Sequence, residues 1–119
     1  MKKIILGIFL ITSVISFSAG RKVQVEEAFK NANTDIVYVQ GEQTPYTGII
    51  EIKFPNGKTQ ALMPYKNGVM HGKGITYYPS GKVWSKGNYK NDVEDGINII
   101  YYENGNIEYE KNVSNNGRT

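Results

Sequence analysis

The chain has 119 residues, a formal charge of +3 and no cysteine. That length leaves room for one small domain, and the missing cysteines exclude disulfide staples and a lipid-modified N-terminal cysteine. Stability therefore has to come from regular backbone pairing around a thin core.

Residues 1–19 are expected to be a signal peptide. Met1-Lys2-Lys3 gives a positive start, Ile4 to Phe17 is an apolar run, and Ser16-Phe17-Ser18-Ala19-Gly20 ends it in small residues. The run is shorter than the roughly 20 residues of a spanning helix, and Ser18 makes the best cleavage position. An uncleaved N-terminal anchor is the alternative. With Lys2 and Lys3 in the leader, the rest of the chain holds twelve basic and eleven acidic residues. Its near-neutral balance offers no evidence for nucleic acid.

Residues 20–45 form a lead-in. Val25, Ala28, Phe29 and Ala32 lie at helical spacing, with Glu26 and Glu27 early and Lys30 late, while Val23 and Val25 alternate. A short helix and an extended arm both fit, and either would cover the end of a sheet. Asp35 to Gln40 reads as a strand through Ile36, Val37, Tyr38 and Val39, closed by Gly41.

From residue 46 to 112 the chain repeats with a period of 24. Tyr65-Lys66-Asn67 returns as Tyr89-Lys90-Asn91, Gly72 as Gly96, Tyr77-Tyr78 as Tyr101-Tyr102 and Gly81 as Gly105, with a diverged earlier copy through Gly48, Phe54 and Gly57. A fixed period of this length marks a repeat architecture. Each copy reads as strand, tight turn, strand. The strands are 49–54 with 58–65, 73–78 with 82–89, and 97–102 with 106–111. The turns Pro55-Asn56-Gly57, Pro79-Ser80-Gly81 and Glu103-Asn104-Gly105 supply the positive φ that short hairpin loops demand. Wider turns, 66–72 and 90–96, join the repeats. Alternation along the return strands predicts one face of 59, 61, 63, 65, then 83, 85, 87, 89, then 107 and 109, with Gln60, Lys86, Asn88, Glu108 and Glu110 opposite. Residues 113–119 are expected to be a frayed tail.

These residues resemble MORN-type repeats, and most of all the bacterial variant. Gly68-Val69-Met70-His71-Gly72-Lys73-Gly74-Ile75-Thr76-Tyr77 follows that family's turn-and-strand signature, and Tyr77 to Lys82 carries its Tyr-Tyr-x-x-Gly-Lys ending. Two departures stand out, Asp92 where the previous copy has Gly68 and Asp95 where it has His71. The resemblance implies an all-β, elongated, single-layer antiparallel sheet of successive hairpins, used as a binding or scaffolding surface. Some similar proteins are catalogued as antitoxin components.

Candidates for chemistry are few. His71 is the only histidine and sits in a wide turn, so it reads as a turn residue rather than a base. Asp92, Glu94 and Asp95 lack the ligand spacing of a calcium loop and read as a solvated turn. No cofactor, metal site or catalytic residue is expected. Charge is more informative. Seven lysines and no acid lie between Lys53 and Lys90, then six acids and no base between Asp92 and Glu110. An aromatic stripe of Tyr77, Trp84 and Tyr101, flanked by Lys66, Lys73, Lys86 and Lys90, is the expected contact surface. The expected function is a non-enzymatic protein-interaction or scaffold module exported to the periplasm, cell envelope or beyond, with self-association possible. An antitoxin-like protein that sequesters a toxin and an anionic-lipid binding module are the alternatives.

Overall fold

The structure, a computed structural model, describes residues 20–114. The expected signal peptide and the last five residues of the expected tail lie outside the described residues. The described chain is almost entirely β, with a single turn of 3-10 helix at Val25–Glu27.

Three hairpins form the body. They are β4 (Gly48–Lys53) with β5 (Thr59–Lys66), β7 (Gly72–Tyr77) with β8 (Val83–Lys90), and β10 (Gly96–Tyr101) with β11 (Ile107–Val113). Each strand lies within one or two residues of its sequence expectation. The hairpins pair side by side in the order β4-β5-β7-β8-β10-β11, antiparallel throughout. Each loop is closed by a left-handed glycine, at φ 89 for Gly57, 100 for Gly81 and 94 for Gly105.

The wide turns are not loose. Asn67 and Gly68, at φ 52 and 83, form a two-residue reversal with both residues left-handed, after which β6 (Val69–Met70) pairs back on β5. Asn91 and Asp92, at φ 51 and 73, do the same before β9 (Val93–Glu94) pairs on β8. Asn-Gly is the preferred sequence for such a turn. The two turns are tied together, since Asp92 N–H donates to the Met70 carbonyl at 3.0 Å and Met70 N–H to Asp92 Oδ1 at 2.7 Å.

The lead-in settles as an arm. β1 (Lys22–Gln24) runs parallel to β4, with Val23 opposite Ile50. β2 (Ala28–Lys30) pairs with β3 (Val37–Val39) as a separate ribbon. Val23, Val37, Val39, Tyr46 and Ile50 form the buried core, with Ala28 and Tyr65 against it. Tyr46 is 1% exposed and its hydroxyl donates to the Ile49 carbonyl at 2.7 Å. Burial of these side chains, at roughly 25 cal/mol per Å², rewards an extended arm in a way that a surface helix would not. The sheet is thus a single layer through the second and third repeats, with a second layer over the first.

One expectation fails. In each hairpin the register slips near the turn, so that Tyr77 opposes Val83 while Thr76 opposes Ser85, leaving Trp84 as an inserted residue. Gln60 and Glu108 are inserted in the same way. A bulge breaks the two-residue alternation. The return strands were expected to show Thr59, Val83 and Ile107 on the face of 61, 85 and 109; the bulges put them on the opposite one.

Candidate functional site

Cross-strand partners share a face, so the pairing register sorts the sheet into two surfaces. One carries Ala61, Met63, Gly74, Thr76, Ser85, Gly87, Tyr89, Asn98, Ile100 and Tyr109 and is called here the glycine face. The other carries Ile49, Glu51, Lys53, Lys73, Ile75, Tyr77, Val83, Lys86, Ile99, Tyr101 and Glu110 and is the lysine face.

The lysine face gathers most of the expected contact residues. Strand parity places Lys66 and Lys90 there with Lys73 and Lys86, and Lys22 joins them from β1 opposite Ile49. Tyr101 lies under Lys86, whose Nζ sits 5.9 Å from the ring centroid, an arrangement in which the ring quadrupole attracts the cation. Two shallow hollows of about 560 Å³ lie on this side. Lys22, Lys53, Lys58 and Tyr77 border one, and Lys82, Lys86, Tyr101 and Glu103 border the other. Beside the first, Glu51 is buried at 4% exposure. It accepts hydrogen bonds from Thr59 Oγ1 at 2.5 Å and Gln24 Nε2 at 2.7 Å, with Lys22 Nζ at 3.6 Å. The Thr59 and Gln24 hydrogen bonds hold its carboxyl below the ordinary carboxylate range, against the opposing effect of burial and with help from Lys22 and Lys53. Glu51 is therefore a satisfied structural anion.

Trp84 does not lie on the face of Tyr77 and Tyr101, though it meets Tyr77 at the turn end of the sheet. As the bulge residue it turns toward Ala61 and Thr76, where it borders an apolar notch of about 290 Å³ with Phe54, Gln60 and Tyr78 that Tyr77 also lines. Its ring lies 6.2 Å from that of Tyr78, whose hydroxyl donates to the Tyr101 carbonyl at 2.6 Å. Sequence reasoning missed Phe54, Gln60 and Tyr78 because strict alternation carried no bulge. The available signal was the equivalence of Gln60, Trp84 and Glu108 at one repeat position, where no consistent hydrophobic character appears.

The glycine face is lined by small residues. Gly74 and Gly87 face each other across β7 and β8, and Thr76 Oγ1 meets Ser85 Oγ at 2.5 Å. Asn98 fills the space over Gly87, where a Cβ would overlap its Oδ1. That oxygen accepts the Asn88 N–H at 3.2 Å, while Asn98 Nδ2 is buried without a partner. His71 and Asp95 occupy equivalent turn positions, with backbone N–H groups donating to the carbonyls of Pro64 and Asn88 at 3.1 and 2.9 Å. Among the described residues no group of three histidine, cysteine, aspartate or glutamate side chains is placed to hold a metal ion.

The hairpin geometry, the 24-residue register and the left-handed turns agree with a comparison against known families. The model of the MORN repeat variant matches residues 46–67, 70–91 and 94–115. The chain belongs to the MORN repeat variant family. No curated protein and no solved structure matches it. Each matched MORN repeat takes in an outgoing strand, a glycine-closed loop and a return strand, which is also the unit that the pairing register defines. Repeats of this family point to protein or lipid interaction.

Proposed function

We propose that this MORN-repeat chain is an exported, non-enzymatic interaction module whose lysine face docks on an acidic protein surface in the cell envelope. The observation that carries the reading is the gathering of Lys22, Lys53, Lys66, Lys73, Lys86 and Lys90 on one side of the sheet, against Glu51, Glu110 and, at the border of one hollow, Glu103. Glu51 keeps its charge and offsets Lys22, whose Nζ lies 3.6 Å away, so the field of this face comes from Lys53, Lys66, Lys73, Lys86 and Lys90. A surface of one sign steers an oppositely charged partner and sets its orientation. Tyr77 and Tyr101 add aromatic contact between the lysines, and the hollows beside them suit protruding carboxylate side chains better than a flat membrane. Export rests on the leader, with its Lys2-Lys3 start and short apolar run.

Capture from a cell-envelope extract with the chain starting at Gly20 tests the docking. The expected result is a protein retained at low salt, released at about 0.5 M salt where charges are screened beyond a few Å, and absent with the K66E/K73E/K90E variant. Retention that ignores both salt and the triple charge reversal would overturn the reading. So would salt-sensitive binding to anionic vesicles with no protein captured. A product found in the cytoplasm with its leader intact would remove the export half.

A further inference from the structure

We propose that β11 is an acceptor edge, which takes an extended, lysine-bearing segment of a partner protein as an additional antiparallel strand. This concerns the end of the sheet, not its lysine face, so it stands or falls separately from the docking reading.

The two ends of the sheet differ. At the first repeat, β1 covers β4, the β2–β3 ribbon packs nearby, and the outward N–H of Gln24 is taken by Glu27 Oε1 at 2.9 Å. At the other end, β11 pairs among the described residues only with β10, and every residue from Ile107 to Asn112 is exposed. Ile107 and Tyr109 are each 52% exposed. Among the described residues this seven-residue strand has one edge open, and a row of unpaired N–H and C=O groups on such an edge is the template for strand addition.

The repeat supplies the register. Return strand β5 receives the next outgoing strand with Ala61 opposite Thr76 and Leu62 opposite Ile75. Return strand β8 does so with Ser85 opposite Ile100 and Lys86 opposite Ile99. The equivalent receiving residues on β11 are Tyr109 and Glu110. An incoming strand therefore sets one side chain beside Tyr109 on the glycine face, where Ile100 already offers apolar contact, and the next beside Glu110 on the lysine face.

Charge then selects the segment. Glu103, Glu108 and Glu110 lie at this end, while the one cation of β11, Lys111, is held by Glu94 at 3.4 Å. A lysine or arginine opposite Glu110, with an apolar or β-branched residue opposite Tyr109, completes the pairing. A second copy fits poorly. Self-pairing about Glu110 sets that residue against itself, and self-pairing about Tyr109 gathers Glu108 and Glu110 of both copies along one seam, both unfavourable.

The experiment uses the full chain and a fluorescent peptide copied from residues 70–78, carrying the change I75K so that a lysine meets Glu110. Fluorescence anisotropy should show saturable binding, at least about tenfold tighter than for the I75E peptide and reversed in preference by the E108K/E110K chain. Hydrogen exchange should slow at alternate β11 amides. Two further peptides, N-methylated on alternate residues, keep every side chain but block opposite sets of backbone bonds, so only one should lose affinity. Equal binding of the two methylated peptides overturns strand addition. So does an absence of binding at about 1 mM, a very weak affinity. Unchanged preference in the charge-reversed chain overturns the choice of a basic segment, and a free chain that dimerises with its β11 amides protected overturns the choice of partner.

Discussion

Gly68 and Asp92 occupy the same place in successive repeats, yet only Gly68 lies under the N-terminal arm. Val37 N–H donates to the Gly68 carbonyl at 2.9 Å, and Gly68 N–H to the Tyr46 carbonyl at 2.8 Å. A Cβ on Gly68 would overlap Ile36 Cγ2 and come within 3.1 Å of the Val37 backbone. Asp92 holds a similar left-handed φ and uses its side chain on Met70 instead. The family departure at position 92 thus marks where the arm's cover ends.

Gly68→Ala should accordingly lift the arm from the first repeat. Strain at positive φ and the collision with Ile36 together cost about 2–4 kcal/mol by the usual magnitudes of each. Asp92→Gly loses one hydrogen bond of about 1 kcal/mol but relieves the φ of a residue with a side chain, so its net effect should stay within about 1 kcal/mol. Urea denaturation of both variants decides it, and equal effects would show that the arm does not depend on Gly68.

Glu51 should make the protein acid-sensitive. Its carboxyl titrates lower in the folded state than in the unfolded chain, chiefly through Thr59 and Gln24. The unfolded state therefore binds the proton first, so stability from this group is complete above the ordinary carboxylate pKa and falls away as pH drops through the lowered folded value. Glu51→Gln removes this limb while costing about 1–3 kcal/mol at neutral pH from its charge-assisted bonds. Melting temperature against pH for the two proteins is the measurement. Parallel curves would assign the acid limb to other groups.

The repeat, the strand bounds and the glycine-closed loops were legible because each follows from local chemistry repeated three times. The faces were only half legible. Ser85, Gly87 and Tyr89 follow simple alternation, but Val83 and Trp84 do not, because a bulge is a property of two strands and leaves no fixed residue type at Gln60, Trp84 and Glu108. Lys86, beyond the bulge, follows simple alternation as expected, whereas Lys22 joins the same face only through the pairing of β1 with β4. The arm was ambiguous because Val23 gains its burial from Ile50, 27 residues away in sequence, and no local pattern records that contact.

Trp84 tests whether the apolar notch belongs to the working surface. It is 46% exposed, and its repeat equivalents are Gln60 and Glu108, so Trp84→Gln should change stability by less than about 1 kcal/mol. Loss of envelope capture in that stable variant would extend the contact surface around the turn end of the sheet. Unchanged capture would confine it to Tyr77, Tyr101 and the lysines.

Gly87 and Asn98 should behave as one unit. A Cβ at position 87 meets the Asn98 amide oxygen, which holds the Asn88 N–H and so cannot swing aside without breaking that bond. Gly87→Ala should therefore cost about 1–3 kcal/mol, the range for overpacking at a filled site. Asn98→Ala alone loses about 1 kcal/mol of hydrogen bonding, softened because it also removes the buried, unpartnered Nδ2. In the double variant the methyl of residue 87 enters the space the amide vacates, and the two costs should fall short of their sum by at least about 0.5 kcal/mol. A double-mutant cycle by chemical denaturation measures the coupling directly. Strict additivity would mean that the sheet opens at this point to accept the methyl group, and that the close approach of Asn98 is not what requires a glycine there.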